Sequence, residues 1–164
     1  NPQVEYIARQ YFKLPDDPLR LDVHIGCGAD YMLSGDRQFD YLLVDGFDAE
    51  ARAGALDTEP FYQACRARLS ERGLFCANLL GHNRGFKGSV ERIKAAFDGR
   101  VAVFPSCDSG NTIAFATAGD PVAVSLDAMR ESASRLKKDT GLDLLPTISR
   151  LQLAQPLPGG VLRI

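Results

Sequence analysis

Phe39-Asp40-Tyr41-Leu42-Leu43-Val44-Asp45-Gly46-Phe47-Asp48 is the stretch on which the fold turns. Its four apolar residues, Tyr41 to Val44, form an unbroken run of the kind expected of a strand buried on both faces in a parallel sheet. The run stops at Asp45, and a second carboxylate follows at Asp48. Ligands of open α/β sheets sit in the crevice beyond the carboxyl ends of the strands, so the two acids mark the place to expect chemistry.

Upstream, Val4, Ile7, Ala8, Tyr11 and Phe12 fall at i, i+3, i+4, i+7 and i+8, the spacing of an amphipathic helix with Pro2 in its first turn. Leu21 to Ile25 reads as a short strand, closed by Gly26-Cys27-Gly28. A short helix over 29–33 follows and ends near Gly35. Downstream, Thr58 can cap a helix with Pro60 in its first turn and a stripe of Phe61, Ala64, Cys65 and Leu69, with Gly73 beyond its end. Leu74 to Leu80 is a further apolar strand. The glycine-rich segment from Gly81 to Gly88 then leads into a helix that turns Val90, Ile93 and Phe97 inward. The segments 100–104 and 112–118 read as strands joined by too short a link for a helical crossover, which makes them antiparallel. Ser125 can cap a last long helix carrying Leu126, Met129, Ala133 and Leu136 and ending at Gly141. The Leu- and Pro-containing tail after it has no clear period. Alternating helices and strands give a doubly wound α/β sheet. The chain divides into a domain over 1–141 and a tail over 142–164 that packs on it or extends from it.

The totals exclude several classes. Net charge is −2, from 19 Lys+Arg against 21 Asp+Glu, so no electrostatic footprint for nucleic acid is present. No apolar run approaches the ~20 residues of a membrane helix, and no signal peptide is expected. Cys27, Cys65, Cys76 and Cys107 lie far apart, and His24 and His82 fit no metal-ligand spacing, so no metal is expected. Buried free thiols suit a cytoplasmic protein. The chain opens at Asn1, without Met and directly on a helix, which reads as a piece of a longer protein.

The ordered set of motifs resembles the spermidine synthase family, whose domain has the S-adenosylmethionine-dependent methyltransferase (Rossmann-like) fold ending in an antiparallel strand pair. The matching stretches are Asn1-Pro2-Gln3-Val4 at a helix start, Gly26-Cys27-Gly28-Ala29-Asp30-Tyr31-Met32 after a strand, Asp45-Gly46-Phe47-Asp48, and Leu56-Asp57-Thr58-Glu59-Pro60-Phe61-Tyr62 at a helix start. The similarity runs from Asn1 to about Gly119. The family's first strand and glycine-rich cofactor loop would lie before Asn1. Its strand order, 3-2-1-4-5-7-6, implies that without strands one and two the segment 21–25 pairs beside 41–44 or is held by another chain. Two departures stand out. Cys27 replaces an Asp that accepts a hydrogen bond from the adenine amino group, and a thiol is a weak acceptor. The family's Asp-Ser-Ser-Asp-Pro reads Asp-Gly-Phe-Asp-Ala.

What the resemblance implies is aminopropyl transfer. A primary amine attacks the carbon beside the sulfonium of decarboxylated S-adenosylmethionine, and methylthioadenosine leaves. Asp45 is then the base that takes the ammonium proton, and Asp48 a second anchor for a small cationic amine. Tyr62 is a substrate-side residue, with a core ring as its alternative, and Cys27 and Gly28 line the adenine. A capping role is open for Asp45 and Asp48, and Gly26 and Gly28 can instead simply make a tight turn. Asn78, the loop His82-Asn83-Arg84 and the turn at Cys107-Asp108 carry structural explanations. Two other functions compete: a small-molecule methyltransferase using S-adenosylmethionine, and a truncated or degenerate non-catalytic domain with an association role. A homodimer is open for the chain in any of these readings. Neither nucleic acid nor membrane is an expected partner.

Overall fold

A computed structural model of the chain describes residues 1–81, 85–104, 110–154 and 156–164. The chain opens with α1, Pro2–Phe12, and α2, Gly28–Ser34. Next come β1, Phe39–Val44, a 3-10 turn, Gly54–Asp57, and α3, Glu59–Ala67. They lead to β2, Leu69–Leu80, α4, Phe86–Ala96, β3, Val101–Val103, and β4, Asn111–Thr117. The chain closes with β5, Ala123–Ser125, α5, Leu126–Thr140, α6, Leu145–Ala154, and β6, Val161–Arg163.

The main sheet has the order β1-β2-β4-β3, with β1 parallel to β2 and β4 antiparallel to both of its neighbours. The sheet therefore closes on the antiparallel pair expected from its short link. One face is packed by α2, α3 and α4. Phe61, Tyr62, Cys65, Phe75, Ile93 and Phe97 are wholly buried there, and each large apolar side chain so removed from water contributes roughly 1.5–3 kcal/mol. On the opposite face, Ala102 of β3 packs with Leu151 of α6 and Leu162 of β6. β6 pairs with β5 as a separate two-stranded sheet. Ser125 caps α5 by accepting the Ala128 N–H at 3.2 Å, and Gly141 ends it at φ 80°, where a glycine is favoured.

Several expectations are corrected. Leu21 to Ile25 is not a strand: it pairs neither beside β1 nor with any other described strand. An alternating pattern makes a strand only where a partner supplies the ladder hydrogen bonds. β1 is not buried on both faces. Leu42 and Val44 pack on the helices, but Tyr41 and Leu43 are 70% and 76% exposed, because no described element covers that side. α1 forms as its spacing predicts, with Asn1 accepting the Gln3 N–H at 3.0 Å, yet none of its residues is buried. α3 ends at Ala67, so Leu69 belongs to β2. Gly73 lies within that strand too. Between the pairs Phe39↔Leu69 and Tyr41↔Leu74 the ladder slips and β2 loops out. A methyl group at Gly73 would stand 2.8 Å from Leu69 Cβ, so the tight return there needs glycine. The tail forms α6 and β6, which no local period announces, because β6 finds its partner about forty residues earlier in the chain.

Candidate active site

The carboxyl ends of β1 and β2 lie side by side. Val44 pairs with Ala77, which brings Asp45 beside Asn78 one residue further along. Asn78 Nδ2 donates to Asp45 Oδ1 at 3.0 Å. The amide thereby holds one oxygen of an exposed carboxylate at the sheet edge. Asn78 Oδ1 is enclosed and has no hydrogen-bond partner among the described residues. In the sequence Asn78 reads as a surface residue; its alternation within β2, in step with Cys76 and Leu80, is the signal that it shares a face and an edge with Asp45.

Asp48 is placed differently. Its Oδ1 accepts the backbone N–H groups of Glu50 at 3.0 Å and Arg52 at 2.8 Å, and its Oδ2 accepts Arg52 Nε at 2.8 Å. The Arg52 backbone N–H, more than any other cause, holds its carboxyl below the usual value of 3.8. Asp48 thus knits the loop that follows β1, and Ala51 at φ 58° shows how tightly that loop is wound.

Cys27 and Gly28 stand at the start of α2: exposed Cys27 is its N-cap residue and Gly28 its first residue. Neither Gly26 nor Gly28 has a positive φ. Leu56, in the 3-10 turn, joins this turn to the acidic loop. A methyl group at Gly28 would stand 3.4 Å from Leu56 Cδ2, and one at Gly46 only 2.7 Å from Leu56 Cδ1. The two turns therefore lean on the same side chain.

Tyr62 lies in the core, its ring edge-on to Phe75 at 5.8 Å, and its hydroxyl donates to Asp57 Oδ1 at 2.8 Å. Burial first, and that bond second, push the phenol well above its ordinary value. Asp57 also accepts Ser89 Oγ at 2.7 Å and Arg92 Nη2, both from α4. This knot of Asp57, Tyr62, Ser89 and Arg92 gave no sign in the sequence, where Asp57 was only the residue before a helix cap. His82, Asn83 and Arg84, and Cys107 and Asp108, lie outside the described residues.

A cavity of about 580 Å³ lies between β4 and the α5–α6 pair, lined by Ile113, Phe115, Met129, Leu136 and Ile148. It is almost wholly apolar, and none of Cys27, Gly28, Asp45 or Asp48 borders it. Among the described residues no three His, Cys, Asp or Glu gather as a metal site, and no helix is long and apolar enough to cross a membrane.

The arrangement is the fold found in S-adenosylmethionine-dependent methyltransferases. Human methyltransferase-like protein 13 in complex with SAH superposes with a TM-score of 0.69 over 96% of this chain and 69% of that one, at 22% identity, a likeness of fold. No protein-family profile matches the chain. A polyamine aminopropyltransferase of Neisseria meningitidis serogroup A is 33% identical over 159 residues, 97% of this chain and 60% of the relative. A spermidine synthase solved in complex with the transition state analogue AdoDATO matches with a TM-score of 0.72 and 27% identity, over 95% of this chain and 56% of that one. The chain is spermidine synthase-like, homologous to the polyamine aminopropyltransferases along nearly its whole length. It spans about three fifths of the curated relative it matches.

Proposed function

We propose that this chain carries the acceptor side of an aminopropyltransferase, which moves an aminopropyl group from decarboxylated S-adenosylmethionine to a small cationic amine. The observation that carries the reading is the Asp45–Asn78 pair, set on adjacent parallel strands at the edge where ligands of this architecture bind. A carboxylate oriented there by a hydrogen bond from a side-chain amide can hold an ammonium and receive its proton. The freed nitrogen lone pair then forms a bond to the methylene carbon beside the sulfonium, the carbon–sulfur bond breaks, and its electrons leave with methylthioadenosine as a neutral thioether. Asp48, paired with Arg52, shapes the loop that carries Asp45. Tyr62 acts on substrate only at one remove, through Asp57. The turn of Cys27 and Gly28 is assigned to the nucleoside, with backbone rather than the weakly accepting thiol making the polar contact.

The test is a product assay with decarboxylated S-adenosylmethionine and 1,4-diaminobutane, run beside S-adenosylmethionine, on the chain and on the longest natural protein that contains it. Expected is methylthioadenosine release from the decarboxylated donor only, with Asp45→Asn lowering kcat by about 10²–10⁴-fold and leaving the circular dichroism spectrum unchanged. Methyl transfer from S-adenosylmethionine, or full turnover by Asp45→Asn, would overturn the proposal.

A further inference from the structure

The geometry points to Asp57 and Leu56 as positioning residues that set the width of the cleft between the nucleoside-side turn at 26–28 and the acidic loop at 45–48. This rests on the aminopropyltransferase reading for what the cleft holds, though not for the coupling itself. Leu56 faces both turns with its two methyl groups: a Cβ added at Gly28 would stand 3.4 Å from Cδ2, and one added at Gly46 2.7 Å from Cδ1. A single side chain between two backbones that lack Cβ atoms is a spacer, and its own placement decides how far apart they stand.

Leu56 is held in turn by its neighbour. Asp57 receives Tyr62 from α3 at 2.8 Å, Ser89 from α4 at 2.7 Å, and the Arg92 guanidinium. Arg92 Nη2 also donates to Ser89 Oγ at 3.3 Å, and Ser89 Oγ lies 3.2 Å from the Gly85 carbonyl just before α4. With a side chain only 21% exposed, the carboxylate collects donors from two helices at the point where the 3-10 turn ends. Charge-assisted bonds in a partly dry site are the strong ones, so they make this turn a fixed post rather than a loop. The β1 exit loop and the start of α4, which follows β2, are thereby tied together at the same edge as Asp45 and Asn78. A merely structural salt bridge would stabilise α3 against α4. This one also sits next in sequence to the residue that spaces the two turns.

The coupling is read by hydrogen–deuterium exchange on Asp57→Asn, Leu56→Ala and Gly46→Ala, without ligand. Expected is faster exchange, by at least about tenfold, in peptides covering 26–34 and 45–57 for all three variants, with β2 and β4 unchanged. Acceleration spread over every segment, or none at 45–57, would overturn the coupling. Calorimetry with methylthioadenosine and with 1,4-diaminobutane then reads the consequence, with weaker binding of both by Asp57→Asn expected. Unaltered affinities in that variant would overturn the positioning role. Failure of the unaltered protein to bind either molecule, with the exchange result intact, would refute the aminopropyltransferase reading and leave the coupling standing.

Discussion

At the scale of single residues, Arg68 shows how much of the architecture one side chain can hold. It is 5% exposed, and its guanidinium donates to the carbonyl oxygens of Arg37, at 2.9 Å, and Tyr31. It also lies over the rings of Tyr31 and Phe39 at 4.9 and 5.1 Å. The partners come from α2, from the link to β1 and from β1 itself, so Arg68 pins the end of α3 to α2 and to the start of β1. A methyl group at Gly35 would stand 2.7 Å from its Nη1. Lysine keeps the charge but has neither the planar fork nor the stacking surface. Arg68→Lys is therefore expected to cost about 2–3 kcal/mol in urea unfolding, and a loss below about 0.5 kcal/mol would contradict this account. Nothing in periodicity flags an arginine that follows a helix, whereas Asp45 was legible because a strand end followed by an acid is a local pattern. The division of labour between Asp45 and Asp48 was not legible, since it depends on how the loop between them closes.

At the scale of elements, the two faces of the main sheet behave differently. β1 is an edge strand whose outer face shows Tyr41 and Leu43, and such an edge is a template for pairing. Leu43→Lys is expected to leave unfolding within about 0.5 kcal/mol of the parent and to lower self-association in sedimentation. Phe75→Ala, wholly buried on the other face among Tyr62 and Phe97, is expected to cost about 3–5 kcal/mol. Equal losses from the two substitutions would mean that the faces are equally covered. The strong helices α1, α4 and α5 were readable from their period and caps. Whether a readable helix packs is a separate question, and α1 answers it: its stripe is amphipathic and every residue of it remains accessible.

At the scale of the whole molecule, stability is bounded by protonation on both sides. Asp48, Asp98 and Asp143 all have carboxyls held below the usual 3.8, by the Arg52 backbone N–H, by Arg66, and by Lys137, respectively. A depressed carboxyl contributes stability above the unfolded value and loses it as pH falls through the folded one. The Tm is expected to fall below pH 3.8, and Asp98→Asn to soften that fall. On the alkaline side, burial pushes the Cys65 thiol up from 9.0 to about 12. Its neutral form is favoured in the folded chain, so this contribution is intact below pH 9.0 and declines as pH rises toward about 12. Thermal scans across pH check both limbs. A Tm that stayed flat down to pH 2 would refute the acidic one.

Short-range information in the chain was enough for the α/β class, for most helix limits, for the antiparallel close of the sheet and for an acid at the tip of the first strand. Caps, periodicity and link length act over a few residues, and so they can be read in one dimension. Only the folded molecule decided that 21–25 finds no partner strand among the described residues, that β6 returns to β5, that Tyr62 points inward, and that Leu56 and Asp57 stand between two loops. Each of these depends on which distant segments meet, and pairing across the fold leaves no local mark on the residues that take part.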